Sequence, residues 1–499
     1  MKKVSLFVLA ISLILAFPVF AGGSNDKGGT ASYKDDGAPY ELHVVLPVSG
    51  TVQKDIKEVE ARISAFAKEK INATVKITQI SYSNWTQQTN LMLAAGEKID
   101  IIWLSTNYGY SSVVTKGQVL PLDDLLKENG QGVVNVLGSR YLDPCRVGGP
   151  VYGVPSTRDM AQRYGAYLKK DLVDKYNIDV NAITSPETLA RAMQVIKERE
   201  PNVLPLAITQ NMSSVEYLYA PIFDNLSDRF GVMRMSDKNF RVVNLYETPE
   251  YTAYVNLMHD WYQKGYVSRD AANTQDQPRD LFRADRAFAY LANYKPGQEG
   301  QEFRITGKQI VCVFFAPTIT TTAQITNMMA GIPVTSKNPA RAMKLLNLWY
   351  TDPVLINLYD NGIEGKHYVK QSDGSIWYPN GVDPSSTGYS PTAYFIGNNY
   401  LANVWRGDPL DLYKQMETWN LAAEVSPAMG FSFDQDPVKT EVAAVQNVVS
   451  QYRKSLENGA SDPATVLPEY QSRLKAAGIE KIIAEKQRQL DAWVAANKK

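Results

Sequence analysis

The nine residues Ile99–Asn107, IDIIWLSTN, join a short apolar run to a small polar end. The run Ile101–Leu104 predicts a buried β-strand. Thr106 and Asn107 follow at the point where this strand ends. Because ligands bind at the carboxyl ends of strands in open α/β sheets, the stretch predicts a neutral, hydrogen-bonding site at a sheet edge.

Two more predicted strands precede this one, and a predicted helix separates each strand from the next. Leu42–Val48 runs into the polar turn Ser49–Thr51, and Ala73–Ile80 alternates like a second strand. The second helix, Asn84–Ala95, ends at Gly96, which is a suitable left-handed cap. Strand, helix, strand, helix and strand in this order predict a parallel sheet of the α/β class. Apolar residues recur at helical spacing in the first helix: Ile56, Val59, Ile63 and Phe66.

After residue 160 the sequence is mostly helical in pattern. A capping side chain followed by proline predicts helix starts at Thr248-Pro249, Asn338-Pro339 and Asp352-Pro353. The run Thr321–Val334, TTAQITNMMAGIPV, predicts a strand that returns to the N-terminal sheet. The tail, from about residue 436 to residue 499, predicts two long amphipathic helices.

The first 21 residues have the pattern of a secretory signal peptide. Two lysines precede the apolar segment Val4–Phe20, and the small residue Ala21 ends it. A lipoprotein signal carries a cysteine at the position occupied here by Gly23, so we expect no lipid anchor. Residues 22–39 are polar and predict a flexible leader.

Charge and motif content exclude several classes of function. Lys and Arg total 52, as do Asp and Glu, which gives no electrostatic reason to expect nucleic acid or an anionic membrane surface as a partner. The sequence contains no GxSxG, HExxH, P-loop or dinucleotide-binding motif. Cys145 and Cys312 are the only cysteines, too few for a four-cysteine zinc site, and their pairing is left open.

One stretch, NGIEGKHYV at Asn361–Val369, places Glu364 and His367 close together in sequence. A general acid–base site is one interpretation. Two glycines three residues apart favour a tight turn instead, and no second carboxylate lies at a recognisable offset. A secreted glycan hydrolase therefore stays an alternative that needs two carboxylates about 5 to 9.5 Å apart.

Aromatic residues give the stronger signal. The sequence has 29 tyrosines and 8 tryptophans, many of them in polar, loop-like contexts. Sugar rings present a C–H face to an aromatic plane and hydroxyls to amides and carboxylates, so these contexts favour a carbohydrate cleft. Any single one of these rings also fits a role in closing the core. The residues in question are Trp85, Tyr108, Tyr110, Tyr294, Trp377, Tyr394, Tyr400 and Trp405.

Three late stretches resemble one protein family: TSKNPARAMKLLNLWYTDPVLINLYDNGIEGKHYV (335–369), GFSFDQDPVKTEVAAVQNVVSQY (430–452) and EKQRQLDAW (485–493). Earlier stretches at 84–105, 117–126 and 147–159 match it as well. The whole chain after the signal is similar to the LipO-like extracellular solute-binding proteins of bacterial ABC importers, in the class that delivers oligosaccharides. Its C-terminal region resembles one catalogued without a function.

The resemblance implies a two-lobed, type II α/β fold, in which each lobe is a mixed sheet flanked by helices. Lobe 1 is expected at 40–155 plus about 318–350. Lobe 2 is expected at 156–317 plus about 351–499, with extra C-terminal helices. Closure of the lobes on a ligand would then be recognised by a membrane permease.

Eight ligand-binding residues are predicted, from the resemblance, the aromatic pattern and the charged groups. Tyr394 stands where the family has a tryptophan before Gly-Asn. Larger relatives carry a calcium loop, but Lys197–Ala207 lacks the alternating oxygen ligands, so we expect no metal and no cofactor. The eight residues are Trp85, Thr106, Asn107, Arg158, Tyr294, Glu364, Tyr394 and Trp405.

The leading prediction is a monomeric periplasmic receptor that captures an oligosaccharide for an ABC permease and catalyses nothing. Gly23 in place of the lipid-bearing cysteine favours a freely diffusing receptor in a periplasm. The alternative receptor binds oligopeptides, with Arg158 and Glu364 holding the peptide termini.

Overall fold

The computed structural model describes residues 33–49, 51–208, 214–273, 276–382, 387–390 and 394–497. The predicted signal peptide and the leader up to residue 32 lie outside these ranges. Within them, no helix has both the length and the apolar character that a bilayer crossing requires.

The N-terminal part of the chain forms a five-stranded sheet in the order β2-β1-β3-β12-β4. Strand β1 is parallel to β2 and β3, whereas β12 is antiparallel to β3 and β4. The predicted alternation of three strands and two helices is confirmed. The run predicted as one returning strand instead begins with a short helix, and only the three residues of β12 return to the sheet as a strand. The strands are β1 (Tyr40–Val48), β2 (Ala73–Ser81), β3 (Ile101–Leu104), β4 (Val154–Pro155) and β12 (Met329–Gly331). The helices are α1 (Ile56–Ile71), α2 (Trp85–Ala94), α3 (Tyr110–Thr115), α4 (Asp123–Asn129), α5 (Gln131–Leu142), α12 (Thr322–Thr326), α13 (Pro339–Thr351) and α14 (Pro353–Asp360).

A second sheet, in the order β10-β5-β9-β6, follows the first in the chain. Strand β5 is antiparallel to β10 and β9, and β6 is parallel to β9. The strands are β5 (Arg163–Lys169), β6 (Leu204–Ala207), β9 (Ala287–Tyr294) and β10 (Ile310–Phe314), with short pairs β7 (Phe223–Asp224) and β8 (Met233–Arg234). The helices are α6 (Lys170–Lys175), α7 (Pro186–Arg199), α8 (Glu216–Tyr219), α9 (Pro249–Gln263), α10 (Pro278–Arg283) and α11 (Gln298–Thr306).

Each sheet supports a separate apolar core. The first core is built from described apolar residues that lie within 42–160 and 325–396, and the second from described apolar residues that lie within 166–313 and 428–490. We call the parts around them the first lobe and the second lobe. The predicted α/β class, with two mixed sheets flanked by helices, is confirmed.

Three segments cross between the lobes, and they are hydrogen-bonded to one another. Gln162 pairs with Ile319, and the short strands β11 (Ile319–Thr320) and β15 (Glu424–Val425) are parallel neighbours. Thr157 pairs with Asn398 in the same way. The crossings therefore form one small junction rather than three independent linkers.

The predicted division differs from the packing in one region. Residues 351–499 were assigned to the second lobe, yet α14 and the residues Tyr389, Phe395 and Ile396 are part of the first core. Leu355, Ile356 and Tyr359 of α14 are fully buried there. The Asp352-Pro353 signal does start a new helix, but the apolar face of that helix packs in the first core together with α13.

The C-terminal tail contains three helices where two were predicted: α16 (Lys439–Glu457), α17 (Pro463–Ala476) and α18 (Ile479–Asn497). Asp462 caps α17 through its side chain, with Pro463 at the first helical position. Gly478, with a φ of +97°, separates α17 from α18. The remaining elements are β13 (Val369–Lys370), β14 (Ile376–Trp377) and α15 (Leu412–Ala422).

The last residues of the predicted flexible leader are anchored to the first lobe. Asp35 accepts hydrogen bonds from the buried Arg341 and from Lys344 and Asn338. A buried guanidinium needs an anionic partner, and Asp35 supplies it. The Arg341 bond lowers the pKa of the Asp35 carboxyl despite the opposing effect of burial.

Candidate functional site

The alternation of side chains along β5 decides which residues line the site. Ala166 and Leu168 point into the second core, whereas Tyr167 between them lies on the other face of the sheet. Tyr290 of the neighbouring strand β9 lies on that same face, with its ring centroid 5.3 Å from that of Tyr167. These two rings form the floor of a cavity that faces the lobe junction.

The cavity has a volume of about 410 Å³. Its lining combines tyrosine rings, side-chain amides and three charged groups, one of which, Asp159, belongs to the first crossing segment. Aromatic faces beside hydrogen-bonding amides are suited to a polyhydroxylated ring. The described lining residues are Asp159, Tyr167, Tyr217, Gln277, Pro278, Arg279, Tyr290, Leu291, Ala292, Asn293, Lys295, Gln298 and Gln301.

A fully buried carboxylate behind the cavity wall fixes three of the lining side chains. Glu302 accepts hydrogen bonds from Arg279, from the Tyr290 hydroxyl at 2.7 Å and from Gln298 at 2.8 Å. Burial is the largest single influence and lowers the pKa of Arg279, but the hydrogen bonds and the charge of Glu302, together with Tyr290, outweigh it, so the pKa is raised and the guanidinium stays charged. The wall is therefore rigid before anything binds, which limits the ordering entropy lost on binding.

Lys295 is the cation at the mouth of the cavity. Among the described residues, no carboxylate lies within 4 Å of its ammonium, which lies 4.8 Å from the ring centroid of Tyr394. Burial lowers the pKa of Lys295, but Tyr394 and Asp159 raise it by more. A protonated amine without a close counter-ion is available to donate hydrogen bonds to a ligand.

The Lys295–Tyr394 contact joins the two lobes. Lys295 directly follows β9 of the second lobe, whereas Tyr394 directly precedes Phe395 in the first core. Tyr394 has a φ of +79°, a left-handed conformation that costs a tyrosine about 1 kcal/mol or more. The Ser156 hydroxyl donates to the Tyr394 carbonyl at 2.6 Å and helps to hold this conformation.

Two of the eight predicted residues, Arg158 and Tyr394, lie close to Lys295, and a third, Tyr294, precedes it in the chain. None of the three is among the described lining residues of the cavity. The Arg158 guanidinium donates to the Asp159 carboxylate at 3.0 Å and to the Gln324 carbonyl at 2.8 Å. The Tyr294 ring packs edge-on against Phe314. Arg158 thus orients Asp159 toward the cavity from the crossing segment.

Thr106 and Asn107 are bound to the second crossing segment. The Thr106 hydroxyl pairs with the Thr326 hydroxyl, and the Asn107 amide donates to Asn327 at 2.8 Å. Trp85 is only 3% exposed and packs edge-on against another tryptophan in the first core. None of these three residues lines the cavity.

The other two predicted residues lie elsewhere in the described structure. Glu364 is half-exposed, forms an ion pair with Lys370 at 3.1 Å and lines a separate hollow. Trp405 donates its indole N–H to Asn361 at 3.2 Å, outside the cavity lining. The turn interpretation of residues 361–369 agrees with the left-handed glycines at 362 and 365.

Two of the residues that sequence reasoning missed are immediate neighbours of predicted ones. Asp159 follows Arg158, and Lys295 follows Tyr294. A lysine inside a Tyr-Lys-Pro-Gly turn after a strand was the available signal for Lys295. Tyr167 and Tyr290 lie inside strands. The alternation of side chains assigns them to the cavity side of the sheet only after the face that packs in the core is known.

Two larger hollows, of about 810 and 920 Å³, open beside α18. The described lining of neither contains a tyrosine. The smaller one is lined by second-lobe residues, whereas the larger one lies between first-lobe residues 139–149 and Met429, Gly430 and the end of α18, next to the third crossing. Among the described residues, no group of three or more His, Cys, Asp or Glu side chains is placed to hold a metal ion. Cys145 and Cys312 are both free thiols.

Comparisons with known proteins place most of the chain in one family. The family described as bacterial extracellular solute-binding protein matches residues 61–362. A domain of unknown function (DUF3502) matches residues 427–495. A carbohydrate ABC transporter substrate-binding protein from Streptococcus pneumoniae serotype 4 is 28% identical over 457 residues, which is 90% of each chain.

Solved structures agree with this match. The N-glycan transport solute binding protein (NgtS) from Streptococcus pneumoniae has a TM-score of 0.81 and 25% identity, over 92% of this chain and 100% of that one. Its complex with Man5GlcNAc has a TM-score of 0.72 and 25% identity, over 92% and 99% of the two chains. The predicted two-lobed architecture with extra C-terminal helices is confirmed.

Proposed function

The chain belongs to the bacterial extracellular solute-binding proteins, and from this premise we propose that it captures an oligosaccharide between its lobes for an ABC importer. The family consists of receptors for solutes, so binding is the activity to explain. Two similar proteins are named for carbohydrate or N-glycan transport, and each covers nine-tenths or more of this chain.

The observation that supports this most is the composition of the cavity next to the crossings. Tyr167, Tyr217 and Tyr290 offer ring faces, and Asn293, Gln298 and Gln301 offer amides at the same surface. Neutral amides and aromatic faces match hydroxyls and C–H faces of sugars better than they match peptide termini.

The proposed binding mechanism is closure of the two lobes around the sugar. The floor and wall of the cavity belong to the second lobe, and Tyr394 of the first lobe meets Lys295 at its mouth. Binding would stabilise the closed arrangement, because only that arrangement brings both lobes onto the ligand. Permease subunits of an importer are the proposed partners that recognise it.

The two alternatives have less support. An oligopeptide receptor was proposed to use Arg158 and Glu364 together, but these residues line different parts of the molecule. A hydrolase needs a pair of carboxylates across the sugar. Asp159 is the single carboxylate among the described residues that line the cavity.

Family membership makes the chain an exported protein. We further propose release into a periplasm after cleavage behind Ala21, without a lipid anchor because Gly23 replaces the cysteine. Cell fractionation of the native host with mass spectrometry of the mature N-terminus tests this. An N-terminus that retains residues before 22, or membrane-bound protein, would contradict it.

Titration calorimetry tests the sugar proposal directly. Native protein should bind Man1GlcNAc or Man5GlcNAc, and Asn293→Ala should weaken that binding about tenfold, since one amide hydrogen bond to a ligand contributes about 1.4 kcal/mol. Asn256→Ala, on the exposed side of α9 in the same lobe, is the matched control and should bind normally. Absence of heat with both sugars and with a wider panel of glycans would overturn the proposal.

A further inference from the structure

A second group of aromatic side chains lies beyond the cavity, around the short hairpin β13–β14. Trp377, Tyr378 and Trp405, here called the aromatic platform, are all half-buried. The ring centroids of Tyr378 and Trp405 are 4.7 Å apart, and those of Trp377 and Trp405 are 6.5 Å apart. The exposed Arg406 lies with its guanidinium 4.0 Å from the ring centroid of Trp377.

The aromatic platform is not part of either apolar core. Its three residues are absent from both core clusters, and the fully buried residues of the hairpin are Ser375 and Ile376. Three large rings that lie together at the surface form a contiguous apolar patch, and such patches often mark a binding site. Recognition of a ligand is a better account of them than packing.

A short chain of polar contacts connects the aromatic platform to the cavity. The backbone N–H of Asp408 donates to the Trp405 carbonyl at 3.1 Å. The Asp408 carboxylate pairs with Arg304 of α11 at 2.8 Å and is close enough to Lys295 to raise its pKa. Arg304 in turn lies close enough to Tyr378 to influence the pKa of its hydroxyl. Helix α11 therefore links the two sites: its Arg304 contacts Asp408 and the Arg406 carbonyl beside the platform, and its Gln298 and Gln301 line the cavity.

We propose that the aromatic platform is an outer subsite, which stacks a hexose unit of an oligosaccharide whose inner end occupies the cavity. This rests on the proposed function and adds the class of ligand: a glycan longer than a disaccharide. The rings supply the C–H stacking faces, and Arg304, Arg406 and the Trp405 region supply polar groups around them. A disaccharide would fill the cavity alone and leave the platform free.

Calorimetry with two probes of different length tests the subsite. For Trp377→Ala, affinity for Man5GlcNAc should fall about tenfold, while affinity for Man1GlcNAc should stay within twofold. Trp377→Tyr keeps a stacking face and should restore most of the loss. Phe303→Ala removes an exposed ring from α11 outside the platform and should change neither affinity.

Several outcomes would overturn this inference while leaving the proposed function intact. Equal losses for both sugars would assign Trp377 a structural role, and no loss for either would remove it from binding. Native affinity for Man5GlcNAc no higher than for Man1GlcNAc would also exclude an outer subsite. Native protein that binds no glycan at all would instead refute the proposed function.

Discussion

The two lobes use aromatic residues in different ways where they face the junction. In the first lobe, rings pack against rings, with centroids between 5.2 and 6.0 Å apart. In the second lobe, Tyr167 and Tyr290 pack beside amides and charges, and both hydroxyls are hydrogen-bonded. The first-lobe rings are Tyr82, Trp85, Trp103, Tyr108 and Phe395.

This difference suggests that the first-lobe rings keep a surface rigid, whereas the second-lobe rings and amides recognise the ligand. A cluster of rings without polar partners fixes the shape of a surface but offers few directional contacts. A ring with a bonded hydroxyl and neighbouring amides can orient hydroxyl groups of a ligand. We therefore infer that the first lobe supplies a stiff, shaped surface and the second lobe supplies most of the specificity.

The largest expected effect is a contrast between a substitution in the first lobe, which should lower stability, and a substitution in the second lobe, which should lower affinity. Trp103→Ala should lower the free energy of unfolding by about 4 kcal/mol, because it removes a buried ring from the first-lobe cluster. Tyr217→Ala in the cavity lining, where the ring is only half-buried, should cost less stability but most of the affinity for Man5GlcNAc. Guanidinium unfolding and calorimetry on both variants measure the two quantities. The comparison fails if Trp103→Ala loses affinity by as much as Tyr217→Ala does.

A smaller effect concerns a carboxyl group buried near Tyr394. Asp360 is 8% exposed, and among the described residues neither of its oxygens has a partner within hydrogen-bonding geometry. Burial raises the pKa of its carboxyl well above the ordinary value, and the nearby Tyr394 backbone N–H offsets only part of that rise. Above about pH 4 the folded state therefore keeps a proton that the unfolded chain releases, so stability falls as pH rises through this window. Asp360→Asn cannot titrate and should become more stable than the native protein as pH rises, by about 2 kcal/mol.

Urea unfolding at pH 5 and pH 8 measures this effect as a difference between variant and native protein. Asp411→Asn, at an exposed position, is the matched control and should show no such trend. A difference between Asp360→Asn and native protein that stays constant with pH would contradict the expectation.

Local sequence chemistry was sufficient for much of the fold. The caps before α9, α13 and α14 and the apolar run of β3 were predicted because neighbouring residues alone determine them. The three-helix tail was predicted as two helices because the amphipathic pattern continues across Gly478. The break between α17 and α18 at this glycine is therefore not visible in the pattern. Strand β5 is buried on both faces, so its polarity does not alternate and the second sheet carried a weaker signal.

The site was harder to predict, for a geometric reason. Asp159 and Lys295 were each missed by one residue, and one residue along an extended chain reverses the direction of a side chain. Tyr217, Tyr290 and Gln298 come from three separate segments that meet only after the second lobe folds. Trp85 was predicted as a ligand contact because its polar flanks resemble a loop, yet packing against Trp103 buries its ring.

The smallest expected effect concerns the contact between Lys295 of the second lobe and Tyr394 of the first lobe. Lys295→Met removes the ammonium from the Tyr394 ring, an interaction that is worth about 0.5 to 2 kcal/mol, so the ligand-free lobes should open about two- to thirtyfold more often. Small-angle scattering of ligand-free protein should then show a larger radius of gyration. Lys308→Met, in the same lobe but paired with Asp285, is the control and should leave the curve unchanged. Superimposable curves for Lys295→Met and native protein would mean that the crossings alone set the lobe arrangement, and that Lys295 serves the ligand without holding the lobes together.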